Sequence, residues 1–197
     1  MIDLAKIKEL YKIGKDLSLK DIQVLISAAK SSSFAKGTYL IKEGSTNNEV
    51  FYIREGLVRC FHVNEKGEEI TFALLAEHQL VASADLILFN LPSRFYFEAL
   101  ENLSVFSINY DILQEIVSKN RQLEANRKHI LQKLLKSLHS RVESFVLYSP
   151  EKRYQKFILD NPTLINRVPD KYIANVLGIT PVSLSRIRKR ISLKNKK

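Results

Sequence analysis

Tryptophan is absent from the 197-residue chain, and methionine and cysteine occur once each. A single thiol, Cys60, cannot close an internal disulfide, and alone it supplies neither an iron–sulfur cluster nor a structural zinc site. Its plain reading is a small residue inside a strand. Long apolar runs are also missing: stretches such as FALLA, Phe72 to Ala76, are far too short to cross a bilayer. The N-terminal MIDLAKIKEL carries acids where a secretory signal would carry a basic start and an apolar run. These absences predict a cytoplasmic globular protein with no membrane partner. The four histidines, His62, His78, His129 and His139, lack the His-x-His spacing of a cupin-type metal enzyme, so no metal site and no catalytic residue is expected. Haem ligation through Cys60, His62 or His78 is the remaining formal possibility. Cys60 and His62 lie two apart on a strand and are more simply structural. No cofactor is expected.

What is present is a core-forming composition, 45% hydrophobic and 26% charged, with a formal charge of +10. The charge is unevenly placed. From Asn161 to Lys197, nine lysines and arginines face Asp170 alone, which puts +8 of the total in this segment. That asymmetry is the electrostatic footprint of a nucleic-acid-binding module, although a solubilising or membrane-surface tail would share it.

Apolar spacing divides the chain into an α+β arrangement. Leu4, Ile7, Leu10 and Tyr11, then Ile22, Leu25 and Ile26, predict two short helices broken near Gly14. After SSSF, short β-rich runs follow (TYLI, VFYI, LVRCFHV, ITFALL), with strands recurring at Arg94 to Ala99 and Ser104 to Ile108. Thr38 to Ile108 therefore reads as an antiparallel barrel or jelly roll, with a hairpin turn at Asn64 to Gly67. From Tyr110 the period is helical again. Leu131, Leu135, Leu138, Val142 and Phe145, spaced 4, 3, 4 and 3, form the stripe of a dimerisation helix, while Leu123, Ile130 and Leu134 offer a second face to the barrel. The plainer alternative packs the first stripe on the protein's own barrel. Pro150 marks a break, and Glu151 to Leu159 is a further helix ending at Asp160-Asn161-Pro162. The domains expected are 1–120, a sensing unit; 121–148, a dimerisation helix; and 149–197, a DNA-binding unit.

Within the last unit, Asp170 is placed to cap a helix carrying Ile173, Ala174 and Leu177, which turns at Gly178. Thr180 caps a second helix with Pro181 in its first turn, and Leu184, Ile187 and Ile191 form its inner face. This is a helix-turn-helix, whose second helix enters a major groove by its N-terminal end. Thr180, Pro181, Val182, Ser183, Ser185, Arg186, Arg188, Lys189 and Arg190 are the candidate DNA contacts, with Arg186 having the fork geometry to read guanine. The alternative is an ordinary helical hairpin with a solvated basic face.

KGTYLIKEGSTNNEVFYIREGLVRCFHVNEKGEEITFALL, with Gly44 and Gly56 at turns, the long helix, and IANVLGITPVSLSRIRKRI occur in an order that resembles the Crp/Fnr family of bacterial transcription regulators. The resemblance spans nearly the full length. It implies an N-terminal cyclic-nucleotide-binding-like β-roll, a dimerisation helix, a C-terminal helix-turn-helix, a homodimer on double-stranded DNA, and RNA polymerase and a small-molecule effector as further partners. In cyclic-nucleotide-binding members a Gly-Glu pair and an Arg-Ser or Arg-Thr pair hold the ribose and cyclic phosphate. Here VASADLILFNLPSRFYFEAL puts Ser83 near the glutamate's place and Ser93-Arg94 in reversed order. Leu138 and His139 occupy the purine-facing positions of the long helix. These five are the candidate effector residues, and cyclic AMP binding in the usual way is not expected. If the segment is a strand, Arg94 faces the opposite side, where it would pair with Glu98. Val182 replaces the family's cytosine-reading glutamate, and too few residues follow the recognition helix for a full β-wing. A ligand-gated regulator is the alternative reading, and a cupin-like enzyme the remote one.

Overall fold

The computed structural model describes residues 18–194. The first expected helix, carried by Leu4, Ile7, Leu10 and Tyr11, falls outside the described residues, as do Lys196 and Lys197. The second is present as α1 (Leu19–Ala28). It starts at a reciprocal capping box, in which Asp21 N–H donates to Ser18 Oγ and Ser18 N–H donates to Asp21 Oδ2.

Eight antiparallel strands follow in two four-stranded sheets. The first runs β1 (Lys30–Phe34), β8 (Leu103–Asn109), β3 (Glu49–Glu55), β6 (Leu80–Val81), and the second β2 (Tyr39–Ile41), β7 (Tyr96–Ala99), β4 (Val58–Val63), β5 (Glu69–Leu75). Ile41, Phe51, Ile53, Val58, Cys60, Phe97 and Val105 fill the space between them. β3 and β4 are nearly continuous buried runs because both of their faces are covered. Behind β3, Tyr52 and Phe106 pack on Ile22 of α1, Val117 of α3 (Tyr110–Ser118) and Leu123 of α4 (Arg121–Leu147). Beside β4, Leu57 packs into the C-terminal helices.

The expected hairpin joins β4 to β5, with Asn64 Oδ1 accepting from the N–H groups of Lys66 and Glu68. Besides the two-residue β6, β1 and α2 were not expected. β1, the serine-rich KSSSF, has little strand propensity and is an edge strand held by its register on β8. α2 (Ala84–Phe89) interrupts the strand region; Ser83 caps it, and Asn90 ends it in the left-handed conformation. The strand expected at Arg94 begins only at Tyr96. Arg94 and Phe95 form a bend, and just before it Ser93 Oγ donates to Phe95 O while Ser93 exchanges backbone bonds with Gly44 and Ser45.

The C-terminal unit comprises α5 (Pro150–Asp160), a 3-10 turn at Leu164–Asn166, α6 (Asp170–Leu177) and α7 (Pro181–Lys194). Tyr154, Leu164, Val168, Ile173, Ala174, Leu177, Leu184 and Ile187 form its core, and Leu57, Leu74, Ala76 and Leu100 of the barrel close that core on one side.

Gly56, between β3 and β4, sits at φ +99°, and a Cβ there would lie 2.7 Å from the Asn102 carbonyl oxygen. Both the dihedral and the backbone clash oppose any side chain. Gly56→Ala is expected to lower unfolding stability by roughly 2 kcal/mol, measured by urea denaturation.

Candidate functional site

The C-terminal unit, expected from sequence to read DNA, is built on a tight turn. α6 ends at Gly178, at φ +64°, whose N–H bonds to Asn175 O while Ile179 N–H returns to Ala174 O. Phe145, near the end of α4, sits where a side chain at 178 would lie: a Cβ there would be 2.7 Å from its ring. Thr180 then caps α7, its Oγ1 accepting from Ser183 N–H, with Pro181 at the first helical position. Leu184 and Ile187 are buried against α6, while Thr180, Pro181, Val182, Ser185, Arg186 and Lys189 are exposed and Ser183 is half-buried.

Asp170 does not cap α6. Pro169 supplies the extended entry, and Asp170 occupies the first helical position with its carboxylate turned to Arg188. Arg188 Nη1 lies 2.8 Å from Asp170 Oδ1, and Arg188 Nε donates to Tyr154 OH. Arg190 pairs with Glu151 at 2.9 Å. The structure thus places two of the candidate DNA cations in contacts with the unit's own body. Arg186 and Lys189 have no ion pair among the described residues, so their charge faces solvent. Sequence reasoning missed Arg153, whose Nε donates to Leu177 O at the C-terminus of α6, whose Nη1 donates to Tyr148 O, and whose guanidinium lies 5.0 Å over Phe145. Only its sign, matched to a helix C-terminus, could have suggested this role.

On α4 the expected apolar stripe is uncovered in the single chain: Leu135 is 69% exposed, Leu138 56% and Val142 64%, with Leu131 and Phe145 also exposed. Of the face expected to meet the barrel, Leu123 is buried and Ile130 half-buried, but Leu134 is exposed and joins the stripe. An apolar surface of this extent marks an interaction face.

Three of the five candidate effector residues, Ser83, Ser93 and Arg94, are engaged by the chain's own groups. Ser83 is buried and spends its oxygen capping α2, accepting from Leu86 N–H. Ser93 is buried and bonded to Phe95. Arg94 does not pair with Glu98. Its Nε and Nη2 both donate to Asp85 Oδ1, at 3.0 and 2.7 Å, and its own N–H bonds Oδ2. These bonds hold the Asp85 carboxyl below its ordinary range despite its burial, and raise Arg94 in turn. Leu138 and His139 are exposed on α4. Nearby, Arg141 of α4 is half-buried with its guanidinium 4.6 Å from the Phe72 ring, and burial lowers its pKa. His62 Nδ1 bonds to Arg94 O and His78 Nδ1 to Tyr52 OH. Burial pushes the Cys60 thiol up to about 12, so it stays protonated.

Sequence reasoning also left unread the seam that joins the barrel and the C-terminal unit. Arg59 of β4, 1% exposed, pairs with Glu69 at 2.8 Å and Glu98 at 3.2 Å and donates to Thr71 Oγ1. Its guanidinium lies between the rings of Phe61, at 4.0 Å, and Tyr172 of α6, at 3.9 Å. Thr71 N–H on β5 donates to Asn175 Oδ1. Arg167, which follows the 3-10 turn, donates to both oxygens of Glu77 and both oxygens of Glu101.

A model of the cyclic nucleotide-binding domain matches residues 31–120. The anaerobic regulatory protein of Bacillus subtilis is 26% identical over 136 residues, 68% of this chain and 56% of that protein. The chain thus matches only a little over half of that relative's length. The global nitrogen regulator of a Nostoc species is 24% identical over 183 residues, 84% of this chain and 82% of the other. In fold the chain resembles FixK2 from Bradyrhizobium japonicum, with a TM-score of 0.72 over 85% of this chain and 86% of that one, at 16% identity. The chain is thus similar in sequence to regulators of the Crp/Fnr type, and in fold to FixK2. Its α+β architecture of β-roll, long helix and C-terminal helices is the one that the sequence order implied.

Arg167 holds the Glu77 carboxyl down to about 2, with the Gly56 N–H helping. A depressed carboxylate contributes stability fully above its ordinary value of 4.5 and loses it as pH falls toward 2. Glu77→Gln is therefore expected to be less stable at neutral pH and to lose stability less steeply than wild type between those two values, as read by thermal melts across that range.

Proposed function

We propose that the protein is a homodimeric, sequence-specific DNA-binding regulator of transcription, working in the cytoplasm rather than as an enzyme. The observation that carries this reading is the outward face of α7, where Val182, Ser185, Arg186 and Lys189 stand exposed while Leu184 and Ile187 are buried beneath them. A helix held from behind, with a free arginine and short hydroxyl side chains in front, matches the chemistry of base edges and phosphates. Thr180 and Ser183 join it at the N-terminal end. Arg188 and Arg190 act by holding the helix to its unit. Val182, 60% exposed, suits a thymine methyl.

Dimerisation through Leu131, Leu135, Leu138, Val142 and Phe145 would cover the apolar face of α4 and place two reading helices on successive major grooves. The barrel does not take cyclic AMP in the usual way, because Asp85 already gives Arg94 its anion. A ligand-gated form of the same reading draws on Arg141, half-buried over Phe72 with no carboxylate in ion-pair range among the described residues.

Selection from a random DNA pool, with and without cyclic AMP, tests the function. Wild type is expected to enrich an inverted repeat with half-sites about one helical turn apart in both conditions. Arg186→Ala is expected to lose about 1–3 kcal/mol of discrimination at one base pair per half-site. Absence of any enrichment at low salt removes the reading. The double variant Leu135→Glu/Leu138→Glu is expected to sediment as a monomer where wild type sediments as a dimer.

A further inference from the structure

α4 and α5 are joined by Tyr148 and Ser149 alone. A reading unit hung on that link would swing, and in a dimer the two recognition helices would have no fixed separation. The structure supplies a second attachment. Arg167 bridges Glu77, between β5 and β6, and Glu101, between β7 and β8, with four hydrogen bonds of 2.6 to 3.0 Å. Tyr172 stacks on the buried Arg59, and Asn175 takes an N–H from β5, the edge strand of its sheet. These contacts lie at two places, one before α6 and one along it, so they resist rotation as well as translation.

The barrel, α4 and the reading unit therefore close a triangle. The barrel holds α4 through Leu123, Tyr52 and Phe106; α4 holds the reading unit through Phe145 and the Arg153 bond to Tyr148 O; and the reading unit holds the barrel through Arg167. α7 is fixed to α6 by Leu184 and Ile187. The clamp leaves the outward face of α7 open, so it does not block DNA. What it fixes is where that face points.

We propose that the Arg167–Glu77–Glu101 clamp is a specificity-determining device that sets the permitted spacing between DNA half-sites. This rests on the dimeric DNA-reading function proposed above. Base identity is read by Arg186 and its neighbours, and spacing by residues that never approach DNA. With the clamp released, each reading unit pivots at Tyr148–Ser149 and accepts half-sites moved by a base pair while reading the same bases.

The test uses the full chain as wild type, Arg167→Met, and Glu77→Gln/Glu101→Gln, which loosens the clamp without leaving two carboxylates facing each other. Each is measured on duplexes bearing the selected half-site at the selected spacing and at spacings one base pair shorter and longer, with scanning calorimetry in parallel. Wild type is expected to bind the altered spacings about tenfold more weakly, and the clamp variants only about twofold more weakly, at unchanged half-site preference. The calorimetric trace is expected to split from one transition into two when the clamp is lost. A variant that folds and keeps the wild-type spacing penalty overturns the inference while leaving the DNA-reading function intact. If wild type selects no half-site, the function fails and the spacing role falls with it. In that case a split trace still shows that the clamp couples the two bodies, and an unsplit trace removes that too.

Discussion

The guanidinium of Arg59 is almost wholly withdrawn from water, and the way its charge is compensated organises both halves of the molecule. An arginine buried this deeply is tolerated only when carboxylates and hydrogen-bond acceptors surround it. Glu69 on β5 and Glu98 on β7 supply the charge and Thr71 a hydroxyl, so the strands flanking β4 are drawn to one centre. The flat face of the same cation is covered by Phe61 from the barrel and Tyr172 from the C-terminal unit. Leu57, fully buried beside it, belongs to the core of that unit as much as to the barrel. The boundary between the barrel and the C-terminal unit is thus a shared core rather than a linker.

Charge in the C-terminal segment divides by use. Arg167, Arg188 and Arg190 are spent on carboxylates of the protein itself, while Arg186 and Lys189 remain available to a partner. A net charge counted from sequence therefore overstates the positive surface left open to solvent. The same accounting applies to the cassette, where Arg94 has its positive charge answered by Asp85 of the next helix back.

Much of this architecture was legible because it rests on local periodicity. The β-rich runs punctuated by turn residues in the barrel, the 4-3 spacing on α4, and the Gly178-Thr180-Pro181 punctuation each encode their element within a few positions. β1 was not legible because KSSSF is a strand only by virtue of β8. α2 was missed because six residues carry too little periodicity to stand out from a strand-rich stretch. Asp170 had the chemistry of a cap, but Arg188 competed for its carboxylate and Pro169 already set the entry. The seam was invisible for a stronger reason: Arg167 and its acceptors are 66 and 90 residues apart, and no local pattern specifies such a pairing.

The close approach of Phe145 to Gly178 ties the fate of two positions in different helical units. A larger residue at 178 has to be matched by a smaller or reoriented one at 145, and it also meets a backbone angle that disfavours side chains. A change at 145 alone opens a gap beneath the turn and removes the ring on which Arg153 rests. Neither position drifts freely, so in the descent of this chain the end of the long helix and the turn of the C-terminal unit are expected to change together, as correlated substitutions across a boundary that sequence alone would treat as the edge of a domain.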